Sequence, residues 1–285
     1  MLRTEHLSLA YGDKPVVNNV SLAIPEGGIT CLLGPNGSGK STLLKSFAGL
    51  LSARSGQVYL DDRPVEQWDR SKLALRLAML PQKPIVPDGI RVQDLVALGR
   101  FPHRKWWQRN LTTDNNATFE AMAMTGVSEL AERPVEALSG GQQQRVWIAM
   151  ALAQETDILL LDEPTTFLDW GYQLEVLELL TKLNREHGLT VVMSLHDLNQ
   201  AAQFADRIAV LADGRLETIG SPEEVITEPL INRVFRVHTQ VTKGRGGRPF
   251  CSGFAESFHD GSASNDHGLT REPRLTGSVF PDRAT

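Results

Sequence analysis

The chain has 285 residues, of which 41% are hydrophobic, a formal net charge of −5 and two cysteines. That length can hold one large core with a smaller lobe, and the acidic balance gives no basic footprint for nucleic acid. No apolar run approaches membrane-spanning length, and Met1-Leu-Arg-Thr-Glu5 lacks the apolar stretch of a signal peptide, so the chain is expected to stay in the cytoplasm.

Segments 1–30 and 56–61 alternate apolar and polar residues enough to form antiparallel strands. Ile29-Thr-Cys-Leu-Leu33 is a short β-branched and aliphatic run, the pattern of a buried strand. Cys31 inside it makes a disulfide with Cys251 unexpected. The run leads into Gly34-Pro35-Asn36-Gly37-Ser38-Gly39-Lys40-Ser41, and Thr42 to Ala48 reads as the opening of a helix. Glycines let backbone N–H groups curl around phosphate oxygens, and the helix N-terminus adds partial positive charge. Lys40 would reach the β- and γ-phosphates, and the Ser41 hydroxyl would take one Mg²⁺ position. This loop binds a nucleoside triphosphate.

Gln82, in Leu80-Pro-Gln-Lys-Pro84, follows a third possible strand end and could reach the metal through its carbonyl. Residues 88–153 read as mostly helical, with apolar residues recurring at Val92, Leu95, Val96 and Leu98. A basic cluster, Arg100 to Arg109, is interleaved with Trp106 and Trp107 and reads as a solvated face rather than an RNA site. Trp68, Trp106, Trp107 and Trp147 carry no chemistry and default to packing. Ser139 followed by Gln142 has the form of a capping box, so a helix starts at Ser139. Gly140 and Gly141 leave its N–H groups uncovered, which makes a second anion site.

Ile158-Leu-Leu-Leu161 suits a strand buried on both faces of a parallel sheet, and it ends in Asp162-Glu163-Pro164. Two carboxylates there make sense if a metal and a water occupy the crevice above the sheet. Asp162 is then the Mg²⁺ partner and Glu163 the general base that activates or orients water. Thr190 to Leu195 repeats the pattern and ends in His196, placed to hold Glu163, water and γ-phosphate in line.

Assembled, these residues closely resemble the nucleotide-binding subunits of ABC transporters. Gly34–Thr42 matches that family's Walker A and Leu138–Gln142 its signature. Ile158–Glu163 matches Walker B, Gln82 the Q-loop, Leu168-Asp169 the D-loop and His196 the H-switch. Tyr11 matches the aromatic position that stacks on adenine. The resemblance spans residue 1 to about 242. It implies an α/β fold: a P-loop NTPase (RecA-like) core at roughly 29–86 and 155–215, a flanking antiparallel β-subdomain, and a helical signature subdomain over about 88–153. It further implies ATP and Mg²⁺, hydrolysis to ADP and phosphate, and a head-to-tail pair of subunits with each ATP between one Walker A and the other's Ser139–Gln142. Integral-membrane permease subunits, with a coupling helix near Gln82, and indirectly a substrate-binding protein would be the other partners. The expected location is the cytoplasmic face of the inner membrane.

Three segments narrow the resemblance to importers of ferric siderophores, haem and cobalamin, the siderophore members most closely. They are Val96 to His103, Gln173 to Leu180, and His196 to Ala202. Haem, cobalamin or a metal ion are the alternative cargoes. A soluble ABC ATPase without a permease, or an exporter subunit, are readings of other kinds. Separate cassettes and the absence of room for a coiled coil count against both. From Lys243 to Thr285 the chain is rich in Gly, Ser, Asp and Arg with little periodicity, the composition of a disordered or atypical tail.

Overall fold

The computed structural model describes residues 1–85, 88–104 and 115–254. Its centre is a six-stranded sheet in the order β10-β9-β3-β8-β7-β6. The members are β3 (Ile29–Leu33), β6 (Leu77–Leu80), β7 (Ile158–Leu161), β8 (Thr190–Ser194), β9 (Arg207–Ala212) and β10 (Arg215–Gly220). All neighbours are parallel except β10, which returns antiparallel to β9. Alternate residues of each strand feed two different cores, as the two-residue period of a strand requires. Cys31, Leu159, Leu161, Val191, Met193 and Val210 enter one, while Leu32, Leu160, Val192, Ala209 and Leu211 enter the other. Covering both faces is why these strands are apolar throughout instead of alternating.

The second face is covered by an antiparallel sheet and a helix. The sheet has the order β2-β1-β4-β5, from β1 (Leu2–Tyr11), β2 (Lys14–Ile24), β4 (Ser55–Leu60) and β5 (Arg63–Pro64). The helix is α1 (Lys40–Phe47), whose Leu43, Leu44 and Phe47 are fully buried there. A short α2 (Arg70–Ala74) is capped by the Asp69 carboxylate.

The first face is covered by helices. Between β6 and β7 lie α3 (Val92–Leu98), α4 (Asn115–Met124) and α5 (Gly140–Leu152). Val92, Leu95 and Val96 are buried on one stripe, whereas Leu98 is exposed. Further along come α6 (Trp170–His187), α7 (Leu198–Phe204), α8 (Pro222–Val225) and α9 (Glu228–Phe235). Among the described residues no helix is long and apolar enough to cross a membrane.

Two sequence expectations need correction. Arg100 is not on a solvated face: it is 5% exposed, and its guanidinium donates to Ala153 O and to Glu155 at 2.6 Å each. Next to it, the His103 ring meets Gln154 O at 2.8 Å, so this stretch ties α3 to the end of α5. The rest of the basic cluster, with Trp106 and Trp107, lies outside the described residues; Trp147 is core and Trp68 packs against the second core. The change at 243 also falls inside an element. β11 (His238–Lys243) and β12 (Pro249–Phe254) form an antiparallel hairpin, pairing Val241 with Cys251. Residues 244–248 are its turn, so their Gly and Arg content reflects chain reversal. The expected tail beyond 254 is outside the described residues. Cys31 and Cys251 are both buried free thiols.

Candidate active site

The C-terminal ends of β3, β7 and β8 deliver the chemistry to one edge of the sheet. After β3 the chain turns at Gly34, where φ is +150° and any Cβ would lie 2.0 Å from Leu211 O. Only glycine fits this approach to β9. The loop closes with Ser38 N donating to Pro35 O, and α1 begins at Lys40. Lys40 is 5% exposed, and its Nζ donates to Gly34 O at 2.7 Å and Pro35 O at 3.0 Å. Burial pushes its pKa below the ordinary lysine value, although the carboxylates of Glu163 and Asp162 pull the other way.

Asp162 and Glu163, adjacent in sequence, have different surroundings. Asp162 is buried, and its Oδ1 accepts from Ser41 Oγ at 2.8 Å and from Ser194 Oγ at 2.9 Å. Glu163 has a left-handed backbone, φ +51°, and its N–H donates to the same Ser194 hydroxyl at 2.8 Å. Ser194 therefore ties the Asp162 carboxylate to the backbone of Glu163. The Glu163 Oε1 atom lies 2.5 Å from His196 Nε2, and Oε2 accepts from Thr166 Oγ1 at 2.9 Å. The Gln82 amide also donates to Oε2. Burial raises the Glu163 pKa, but hydrogen bonds from His196 and Thr166, the His196 charge and the Gln82 bond outweigh it. The carboxyl is held below its ordinary value and is ionised at neutral pH.

The structure thus joins Lys40, Ser41, Asp162, Glu163, His196 and Gln82 in one contiguous site. Gln82 enters through Glu163, not through Asp162 or Ser41. Other expected residues stand apart. Ser139 is exposed and caps α5: its Oγ accepts from Gln142 N, and its own N–H donates to Gln142 Oε1. No hydrogen bond among the described residues links Ser139, Gly140, Gly141 or Gln142 to Lys40, Asp162 or Glu163. Gly141 is pressed against α6, where a Cβ would meet Tyr172 Cδ1 at 2.6 Å. Asp169 starts α6 with no side-chain capping bond and is exposed, as is Tyr11 at the end of β1. Sequence reasoning missed Ser194 and Thr166. A serine in the otherwise apolar strand two residues before His196 was the readable signal for the first.

A nucleoside triphosphate with a hard divalent cation fits these residues. Ser38 Oγ is buried with no hydrogen-bond partner among the described residues, in a loop whose glycines Gly34, Gly37 and Gly39 all have positive φ. A buried hydroxyl of this kind calls for an acceptor. Among the described residues no cluster of three or more His, Cys, Asp or Glu could hold a metal alone. One hydroxyl and one carboxylate, Ser41 and Asp162, suit a Mg²⁺ ion that shares its remaining positions with phosphate and water.

Residues 17–166 match the sequence profile described as ABC transporter. The iron(3+)-hydroxamate import ATP-binding protein of Bacillus subtilis is 46% identical over 251 residues, covering 88% of this chain and 93% of that protein. The ferric enterobactin transport ATP-binding protein of Escherichia coli is 45% identical over 240 residues, 84% of this chain and 89% of that one. Among solved structures, the dimeric post-hydrolysis ATP-binding cassette MJ0796 bound to ADP and Pi superposes with a TM-score of 0.68 at 32% identity, over 78% of this chain and 98% of that one.

Proposed function

The chain belongs to the ABC transporter family as an ATP-hydrolysing importer subunit, and from that premise we propose that it drives uptake of a ferric siderophore through a membrane permease. The observation that carries the hydrolytic mechanism is the division of labour between two neighbouring carboxylates. Asp162 is bound by hydroxyls, Ser41 among them, while Glu163 is bound by His196, Thr166 and Gln82.

In this reading the loop Gly34–Thr42 wraps the phosphates, and Lys40 exchanges its two loop carbonyls for β- and γ-phosphate oxygens. Tyr11 stacks on the base. Ser41 and Asp162 hold Mg²⁺, with the Gln82 carbonyl as a further donor; the bound ion neutralises charge on the phosphates. Glu163 accepts the proton of the attacking water, and His196 keeps that carboxylate in place. Its depressed pKa keeps it available as a base through the neutral range. The lid of the site comes from a second copy: Ser139–Gln142 at the uncovered start of α5, with Asp169 nearby, meets the γ-phosphate only when two subunits close head to tail. The pair sits at the cytoplasmic face of the membrane, bound to the permease, with a binding protein delivering the cargo.

The two relatives named above support the cargo, since one is named for iron(3+)-hydroxamate import and the other for ferric enterobactin transport, and both align over most of their length. The test is reconstitution in proteoliposomes with the permease and binding protein of its own cell. ATP-dependent uptake of radioactive iron as a ferric hydroxamate or catecholate is the expected result. Uptake of haem or cobalamin instead, with ferric siderophores inert, would overturn the cargo. Absence of a stable complex with any multi-span protein would overturn the transport role.

A further inference from the structure

The hairpin β11–β12 is fastened to both ends of α7. Near the N-terminal end, Asn199 Nδ2 donates to Cys251 O at 3.0 Å and Cys251 N donates to Asn199 Oδ1 at 2.7 Å. At the other end, Arg248 Nη1 donates to Ala202 O at 3.1 Å and Ala205 O at 2.5 Å. The last carbonyls of a helix lack intrahelical partners and carry partial negative charge, so a guanidinium there both satisfies and stabilises them. The hairpin is anchored in turn to α9. Thr239 donates from N and Oγ1 to Asn232 Oδ1, and Val241 N donates to Glu228 Oε1 at 2.9 Å.

What α7 carries gives the fastening its meaning. The helix starts two residues after His196, with Asp197 as its cap accepting from Gln200 N at 2.8 Å. Gln200 is buried; its Nε2 donates to Gln173 Oε1 at 2.6 Å, and Gln173 Nε2 donates to Leu168 O at 2.9 Å. His196, Glu163, Gln173 and Gln200 line one cleft beside the reacting centre. A turn of α7 about its axis would therefore move His196 against Glu163 and, through the glutamine pair, disturb the loop that ends at Asp169.

We propose that the 238–254 hairpin is a positioning element for ATP hydrolysis, in which Asn199 and Arg248 set the rotation of α7 and thereby hold His196 against Glu163. It rests on the assignment of His196 given above. Misplacing a catalytic group by about 1 Å can cost on the order of 10²-fold in rate, so a partial loosening of α7 is expected to cost roughly tenfold.

The test is ATP hydrolysis by the full chain with Mg²⁺, in steady state and single turnover. Arg248→Ala and Asn199→Ala are each expected to lower kcat roughly tenfold with KM for ATP unchanged, a loss confined to the chemical step. Arg248→Lys, which keeps a cation able to donate to both carbonyls, should recover most of the loss. In a His196→Ala background, adding Arg248→Ala should change the single-turnover rate by less than about twofold, because residues acting as one unit are not additive. An unchanged kcat in Arg248→Ala, a matching rise in KM, or the same tenfold loss without His196 would each overturn the proposal. Should Arg248→Ala not fold, Asn199→Asp, which keeps the acceptor but loses the donor, makes the same comparison. If His196→Ala itself turns over normally, the His196 assignment fails. If His196→Ala is inactive and the hairpin variants are normal, only the hairpin proposal fails.

Discussion

Two residues at the site separate binding from chemistry. Glu163→Gln keeps size and one hydrogen-bonding oxygen but removes the base. ATP should still bind while turnover falls by about 10²–10⁴-fold, the usual worth of a general base. Gel filtration with ATP and Mg²⁺ should then show the variant accumulating as a closed dimer; near-normal turnover would remove Glu163 from its role. Lys40 tests the opposite trade. Its ammonium is buried and its pKa is lowered, mainly by desolvation, so in the absence of nucleotide the charge weakens the fold. For a lysine shifted down, the unfolded chain binds the extra proton. The penalty is thus complete below the folded-state pKa and fades as pH rises from there towards the unfolded value. Lys40→Met should raise the nucleotide-free Tm at pH 7, by a margin that shrinks at high pH, while ATP binding is lost. A lower Tm at pH 7 would mean that the bonds to Gly34 and Pro35 outweigh desolvation.

At the scale of elements, the informative one is α5. Its capping box spends the Ser139 hydroxyl and the Gln142 amide on the helix's own start, while the N–H groups of Gly140 and Gly141, in the first turn, have no intrahelical acceptor. An anion arriving from outside would complete that end. Ser139→Arg should leave ATP affinity of the isolated monomer within about twofold of wild type and stop ATP-driven dimerisation, because the lesion lies in the other subunit's site. Lys40→Ala should weaken monomeric affinity itself. Equal loss in both variants, measured by fluorescent-nucleotide titration, would refute the trans assignment.

For the whole molecule, the proposed composite site would make activity a second-order property. If the lid over each Glu163 comes from a second copy, specific ATPase activity should climb with protein concentration until the dimer saturates. A specific activity independent of concentration from nanomolar upward, with the protein monomeric throughout, would refute closure by a second copy. The apolar cores fix the base of the site rigidly, while the uncovered carboxyl edge of β3, β7 and β8 is left for ligand and partner.

The sequence by itself determined what depends on local spacing. The phosphate loop, the capping box at Ser139, the apolar strands ending at Leu33 and Leu161, the run Thr190 to Leu195 (whose strand ends at Ser194), and the carboxylates at 162 and 163 were all legible. Each is written in a short run with its own turn chemistry or period. Only the tertiary structure decided which side chains meet. Ser194 joins Asp162 to Glu163 across two strands, Gln82 reaches Glu163 from a third, and Arg100 turns inward to the end of α5. The pairings themselves have no local signal, because hydrogen bonds between residues 31 to 81 positions apart are set by how strands and helices pack, which the chain does not spell out. The hairpin shows the same limit. Composition near 243 reads as a tail, yet Asn199 and Arg248 find backbone partners that exist only once α7 and β12 lie side by side. Polarity in a segment marks where side chains want hydrogen bonds; only packing decides whether water or protein supplies them.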